Sequence, residues 1–185
     1  MDVKQISDMV RRVMNENAER DAQPSEERTD VSDTYSDIRD IPLKIANELI
    51  AEVIKRAAEM DVAAVCAVVN SGANPVSVQS ADGAYIASYD IALGKAYTSA
   101  SLKMKTSVLK TLAAPGGSLY GIQHTNGGKI VIFGGGIPLA VGDRTIGGFG
   151  VSGGSEEQDS YLGEYAEEVF LRLAEKYGLQ CGGIG

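Results

Sequence analysis

The residues with chemical capacity are few, and most lie in the second half of the chain. His124 is the single histidine among 185 residues. A site needing two imidazoles from one chain, a HExxH zinc site included, is therefore excluded. His124 stands in Gln123-His124-Thr125-Asn126-Gly127-Gly128, at a strand-to-turn junction where glycines ease the approach of a ligand. As a general base it would need a nucleophile and an orienting acid, and the sequence names neither. Gly148-Phe149-Gly150-Val151-Ser152-Gly153 spells GxGxxG between a predicted strand and a predicted helix, the local setting of a dinucleotide fingerprint. The fingerprint also needs a second parallel strand with an acid about 20 residues on, and here the helix leads only to Gly178. The glycines read instead as a means of close backbone packing. Ser155-Glu156-Glu157-Gln158 has the form of a capping box. Bare amides at a helix start bind anions, but Glu156, Glu157 and Asp159 already put negative charge there. These carboxylates have no second cluster that would complete a metal site. Gly134-Gly135-Gly136-Ile137-Pro138 follows the apolar run Lys129–Phe133. Three successive glycines imply either a bulge with unusual backbone angles or a wall that a ligand approaches closely.

Positioning these residues requires a mixed fold. Asp40 is placed to cap a helix with Pro42 in its first turn and Ile45, Leu49, Ile50, Val53, Ile54 and Ala57 on one face. Val62–Val69 reads as a buried strand, residues 70–75 as a turn, and residues 76–79 as a partner strand. Residues 84–101 form an alanine-rich helix, and residues 105–113 a second piece stopped by Pro115-Gly116-Gly117. Strands are predicted at 119–123, 129–133, 139–141 and 145–151, with a hairpin turn at Gly142-Asp143. A last helix spans 156–177. Hairpin-length connections demand antiparallel pairing, which gives an α+β domain with helices packed on one sheet.

Composition narrows the class. An apolar fraction of 44% supports a real core, and no apolar run approaches the length of a membrane span. The net charge of −8 argues against nucleic acid or an anionic membrane as partner. Cys66 and Cys181 form no CxxC pair or disulfide framework, and no secretory signal pattern is present, so a cytoplasmic setting is expected. Nineteen of the 22 glycines follow residue 115. The region after that point is expected to be built of turns, tight strands and close contacts.

Residues 1–16 form an amphipathic helical pattern, with Val3, Ile6, Met9, Val10 and Val13 on one face. Residues 17–39 are polar, with Pro24, and read as a flexible linker to a domain over 40–185. So short a helix is marginal alone and is expected to fold against something.

Three stretches, DVAAVCAVVNSGANPVSVQSADGA, SYDIALGKAYTSAS and IVIFGGGIPLAVGDRTIGGFGVSGGSEEQD, resemble the GlcG/HbpS-like haem-binding domain family. That family includes the C-terminal domain of PduO-type cobalamin adenosyltransferases. The likeness runs in order over about residues 41–177 and is most specific from Gly134 to Asp159. It implies a profilin-like α/β/α sandwich with a five-stranded antiparallel sheet. It also implies a homo-oligomer, often an octamer, and haem as cofactor, with cobalamin as the alternative. Members tend to carry Asp after the first strand and Arg in the second, where this chain has Asn70 and Gln79. The helix over 41–60 holds no histidine. His124 is then the only imidazole available to the iron, with Met60, Met104 or a hydroxyl as other choices, and Gly134, Gly135 and Gly136 would border the cofactor.

The N-terminal segment resembles the encapsulation peptides of bacterial microcompartment cargo, which implies docking on a shell or cargo protein. The reading that follows is a tetrapyrrole-binding protein, more a binder than an enzyme, sent into a microcompartment. Two others stand beside it: a haem-degrading or cobalamin-reducing enzyme associated with an adenosyltransferase, and a non-catalytic structural or assembly protein.

Overall fold

The computed structural model describes Lys4, Gln5, Asp8, Tyr35 and residues 38–180. The predicted targeting face of Val3, Ile6, Met9, Val10 and Val13 lies outside the described residues. The chain divides into two units, Met1–Asp33 and Thr34–Gly185. The second holds the folded body.

That body contains helix α1 (Leu43–Glu59), strands β1 (Val65–Asn70) and β2 (Pro75–Ser80), helices α2 (Ile86–Leu102) and α3 (Thr106–Ala113), strands β3 (Gly136–Val141) and β4 (Arg144–Ser152), and helix α4 (Glu156–Lys176). The strands form one antiparallel sheet in the order β2-β1-β4-β3. The α+β class therefore holds, but the sheet has four strands among the described residues and not the expected five. The predicted strands 119–123 and 129–133 do not form. The first is a run of turns through a short 3₁₀ segment, Ile122–His124, with Gly121 at φ +89°. An apolar segment cannot stay extended through such a left-handed residue. The second runs along α2 instead of a strand, and the Val131 amide donates to Thr98 Oγ1 at 2.9 Å.

β1 shows why its sequence is continuously apolar. Cys66 and Val68 point into one core with Ile45, Leu49, Val53, Leu162, Ala166 and Phe170 of α1 and α4. Val65, Ala67 and Val69 point the other way, onto Ala92, Ala96 and Ala100 of α2. A strand alternates its side chains between faces, so a strand covered on both sides has no position left for a polar residue. The result is three layers, α1 and α4 on one face and α2 on the other. Burial pushes the Cys66 thiol well above its ordinary range, which makes it an inert core residue.

Asp40 does not cap α1. The helix begins after Pro42 with no side-chain cap. The Asp40 carboxylate instead accepts from the Ser71 amide at 2.9 Å and the Ser71 hydroxyl at 2.6 Å, tying the chain entry to the β1–β2 turn. The capping box at the start of α4 forms as the sequence indicates: Gln158 N donates to Ser155 Oγ and Ser155 N to Gln158 Oε1.

The end of α4 is held to α1 by a polar contact that responds to pH. Tyr177 Oη donates to Glu48 Oε1 at 2.6 Å, and Lys176 Nζ lies 3.2 Å from Glu48 Oε2. The hydroxyl bond, with Lys176 assisting, holds the Glu48 carboxyl below the ordinary range. A carboxyl with a depressed folded pKa stabilises above its unfolded value, and that stabilisation is lost as pH falls through the folded value. Tyr177→Phe is therefore expected to lower the thermal midpoint at neutral pH, and the gap to wild type should narrow below about pH 4. Thermal melts of both proteins from pH 7 to pH 3 check this.

Candidate functional site

α2 is the element around which the polar chemistry is organised. It lies close on the sheet because β4 places glycines beneath it. A Cβ at Gly150 would sit 2.2 Å from the Ala92 carbonyl oxygen and 2.5 Å from the Ala96 nitrogen, and one at Gly148 would sit 2.4 Å from the Ala96 oxygen. The GxGxxG run is thus a packing surface for a helix.

At this distance α2 sends Lys95 into the interior. Its side chain is fully buried. Nζ donates to Val151 O at 2.7 Å and to Asp159 Oδ2 at 2.6 Å, and lies 5.1 Å from the centre of the Phe133 ring. Asp159 Oδ1 accepts from the Gly154 amide at 3.0 Å. Burial pushes the Lys95 ammonium below its ordinary range, and the Asp159 carboxylate opposes that shift. Asp159 therefore does not belong with Glu156 and Glu157 at the exposed helix start. Glu156 is paired outside by Lys110 Nζ at 2.7 Å.

Gly134, Gly135 and Gly136 are buried around this ion pair. A Cβ on Gly134 would collide with Ser160 Oγ, and one on Gly136 would sit 2.6 Å from Thr106 Cγ2. Gly135 has φ +104° and contacts the passing Gly163 of α4. The Gly136 amide donates to Thr106 Oγ1 at 2.9 Å. The three glycines thus sit where α2, α3 and α4 converge on the start of β3.

The outer face of α2 borders an open cleft of about 420 Å³. Its walls are Ala73, Asn74 and Pro75 from the β1–β2 turn, Asp90, Leu93, Gly94 and Tyr97 from α2, and Gly128, Lys129 and Val131 from the loop before β3. This size lies within the range of small-molecule sites, which are typically about 300–1,000 Å³. Polar groups converge at one end. Lys129 Nζ lies 5.3 Å from the centre of the Tyr97 ring, and Asn126 Nδ2 donates to Tyr97 Oη at 3.3 Å. Thr125 Oγ1 lies 2.6 Å from the Ile122 carbonyl oxygen and 2.9 Å from Asn126 Oδ1, which ties this turn together.

His124 is exposed at the end of the 3₁₀ segment, its Nε2 3.4 Å from Gln123 Nε2. It belongs to the loop that leads into the cleft wall but is not one of the lining residues. The nearest neighbours of the three glycines are Ser160, Val151, Lys95, Asp159 and Thr106, so His124 and the glycines occupy different surroundings. Sequence reasoning did not single out Lys95, Asp159 as its partner, or Tyr97. All three stand inside motifs that it quoted.

The chain is 43% identical over 136 residues to an uncharacterized 15.0 kDa protein of the dhaT–dhaS intergenic region of Citrobacter freundii, covering 74% of this chain and 96% of that one. It is 34% identical over 120 residues to the corrinoid adenosyltransferase PduO of the same organism, of which it spans only 36% while 65% of this chain is covered. Among solved structures, the Klebsiella pneumoniae protein ORFY has 42% identity and a TM-score of 0.70, with 74% of this chain and 94% of that one covered. A PduOC–haem complex has 31% identity and a TM-score of 0.67, with 70% and 94% covered. The family model described as haem degrading protein HbpS-like matches residues 41–167, which is most of the folded body, and the chain belongs to that HbpS-like family.

Proposed function

We propose that the domain is a haem-binding module and that the cleft along α2 holds the tetrapyrrole. The observation that carries this is the donor set of the cleft, an apolar wall of Leu93, Val131, Ala73 and Pro75 with Tyr97 and Lys129 at one end. These residues fit the group: a planar apolar macrocycle packs on the wall, Lys129 offers a cation to a propionate, and Tyr97 offers an aromatic face and an oxygen. Gln79 turns toward α1, its Nε2 donating to Asn47 Oδ1 at 3.3 Å, so the cation that lines the cleft is Lys129. When bound, haem supplies an iron centre for redox or ligand chemistry. The relative crystallised as a PduOC–haem complex supports the reading. Cobalamin is the alternative cofactor, supported by the likeness to the corrinoid adenosyltransferase.

A hemin titration followed at the Soret band tests this. Wild type is expected to saturate. Leu93→Glu, which puts a second carboxylate beside Asp90 on the apolar wall, is expected to weaken binding at least about tenfold, or about 1.4 kcal/mol. Unchanged binding by Leu93→Glu, or no saturable binding by wild type, overturns the reading. His124→Ala, measured alongside, separates a role for the exposed imidazole from that of the cleft.

The proposal extends to assembly. Residues 1–16 direct the protein to a microcompartment by laying Val3, Ile6, Met9, Val10 and Val13 on a shell or cargo protein, and the domain self-associates. The amphipathic spacing supports the first point. The second is supported by Tyr85, Ile86 and Tyr89 at the start of α2, which remain 73%, 96% and 47% exposed and form an apolar patch next to the cleft. That patch also favours the second reading, a structural protein whose domain only assembles. Light scattering of the full chain and of a chain lacking residues 1–16 separates targeting from assembly: the shorter chain should keep its oligomer and lose encapsulation.

A further inference from the structure

We infer that the haem iron is ligated by Tyr97 through its phenolate oxygen, with Asn126 and Lys129 as positioning residues, so that the cleft is selective for ferric haem. This rests on the haem reading above. Proteins hold haem iron through His, Cys, Met or Tyr side chains. Among the described residues, Tyr97 is the only one of these four types that lines the cleft. His124 is exposed outside it. Cys66 and Met60 pack in the core on the opposite face of the sheet from α2. Met104, in the α2–α3 connection, is not among the lining residues. Asn74, Asp90 and Lys129 also line it, but Asn and Asp are not among those four types, and a lysine ammonium has no lone pair to give.

The surroundings of Tyr97 hold its ring and oxygen in place at one end of the cleft. Asn126 Nδ2 donates to Tyr97 Oη. Thr125 Oγ1 lies 2.9 Å from the other end of that amide, while the nearer acceptor for its single proton is the Ile122 carbonyl at 2.6 Å. The Lys129 ammonium lies 5.3 Å from the ring centre and helps to hold the ring against the cleft wall. A hard oxygen anion matches ferric iron better than ferrous. Ligation breaks the Oη–H bond, forms the Oη–Fe bond, and releases the proton to bulk water. No oxidant or reductant is consumed.

The test uses the full chain and ferric hemin, with three readouts: Soret titration, resonance Raman in the phenolate-to-iron charge-transfer band, and proton release in weak buffer. Wild type should show tyrosinate modes and release about one proton per haem. Tyr97→Phe should still saturate, at least tenfold more weakly, with the tyrosinate modes and the proton release gone. Asn126→Ala should keep the modes at reduced affinity, and His124→Ala should match wild type. Saturable wild-type binding without tyrosinate modes, or modes that survive Tyr97→Phe, overturns the ligand assignment while leaving the haem reading intact. Loss of the iron signature in His124→Ala does the same. Absence of saturable binding by wild type overturns both.

Discussion

Asp159→Ala is expected to cost the domain about 3–5 kcal/mol, because removing one partner of a buried ion pair leaves the other charge stranded. Lys95 is fully buried, and its nearest acceptors are Asp159 Oδ2 and the Val151 carbonyl. The substitution also deprives the Gly154 amide of its acceptor. For a domain of this size the loss lowers the thermal midpoint on the order of 10 °C. Lys95→Met should be comparably harmful, since it strands the carboxylate. The double variant Lys95→Met/Asp159→Asn is expected to recover part of the loss. It leaves no uncompensated charge, and the asparagine oxygen still reaches Gly154. Denaturant unfolding of Lys95→Met, Asp159→Asn and their double variant closes the cycle, with Asp159→Ala measured beside them. A single-variant loss below about 1 kcal/mol would show that the pair is not what holds α2, β4 and α4 together.

Gly150→Val should be as damaging by a different route. Its Cβ would meet the backbone of α2 at 2.2 and 2.5 Å, and helix backbone cannot swing aside as a side chain can. Ordinary overpacking costs about 1–3 kcal/mol. Here α2 must rise off the sheet, so the expected loss exceeds that range and soluble yield falls. The displacement also moves Leu93, Gly94 and Tyr97, so any soluble fraction should bind hemin more weakly. Gly142→Ala is the control. It carries φ +57° with nothing within 4 Å of a Cβ, and should cost about 1 kcal/mol from backbone strain alone. Equal stabilities for the two variants would contradict the close packing of α2.

The periodic parts of the chain were legible in its sequence. The apolar face of α1, the doubly buried β1, the Gly142-Asp143 hairpin and the Ser155 capping box all form as local pattern indicates. The errors arose where tertiary contacts took over. Residues 129–133 have a strand's composition, but Thr98 of α2 takes the Val131 amide that a neighbouring strand would have used. Asp40 had the right type and place for a helix cap and was claimed by Ser71, 31 positions away. Lys95 illustrates a deeper limit. A lysine on an alanine-rich helix reads as solvent-facing, and its partner lies 64 positions on, among glutamates that do face solvent. Only the closeness of α2 to the glycines of β4 turns it inward. Tyr97 was hidden similarly, because the loop that brings Asn126 and Lys129 to it was read as strand and turn.

The central claim is that tetrapyrrole binds along the outer face of α2. Amide hydrogen exchange of the full chain, with and without saturating hemin, tests it most directly. The account predicts added protection in residues 73–75, 90–97 and 126–131, with little change in α1 or α4. Protection confined to the α1–α4 face, with those three segments unchanged, would contradict it.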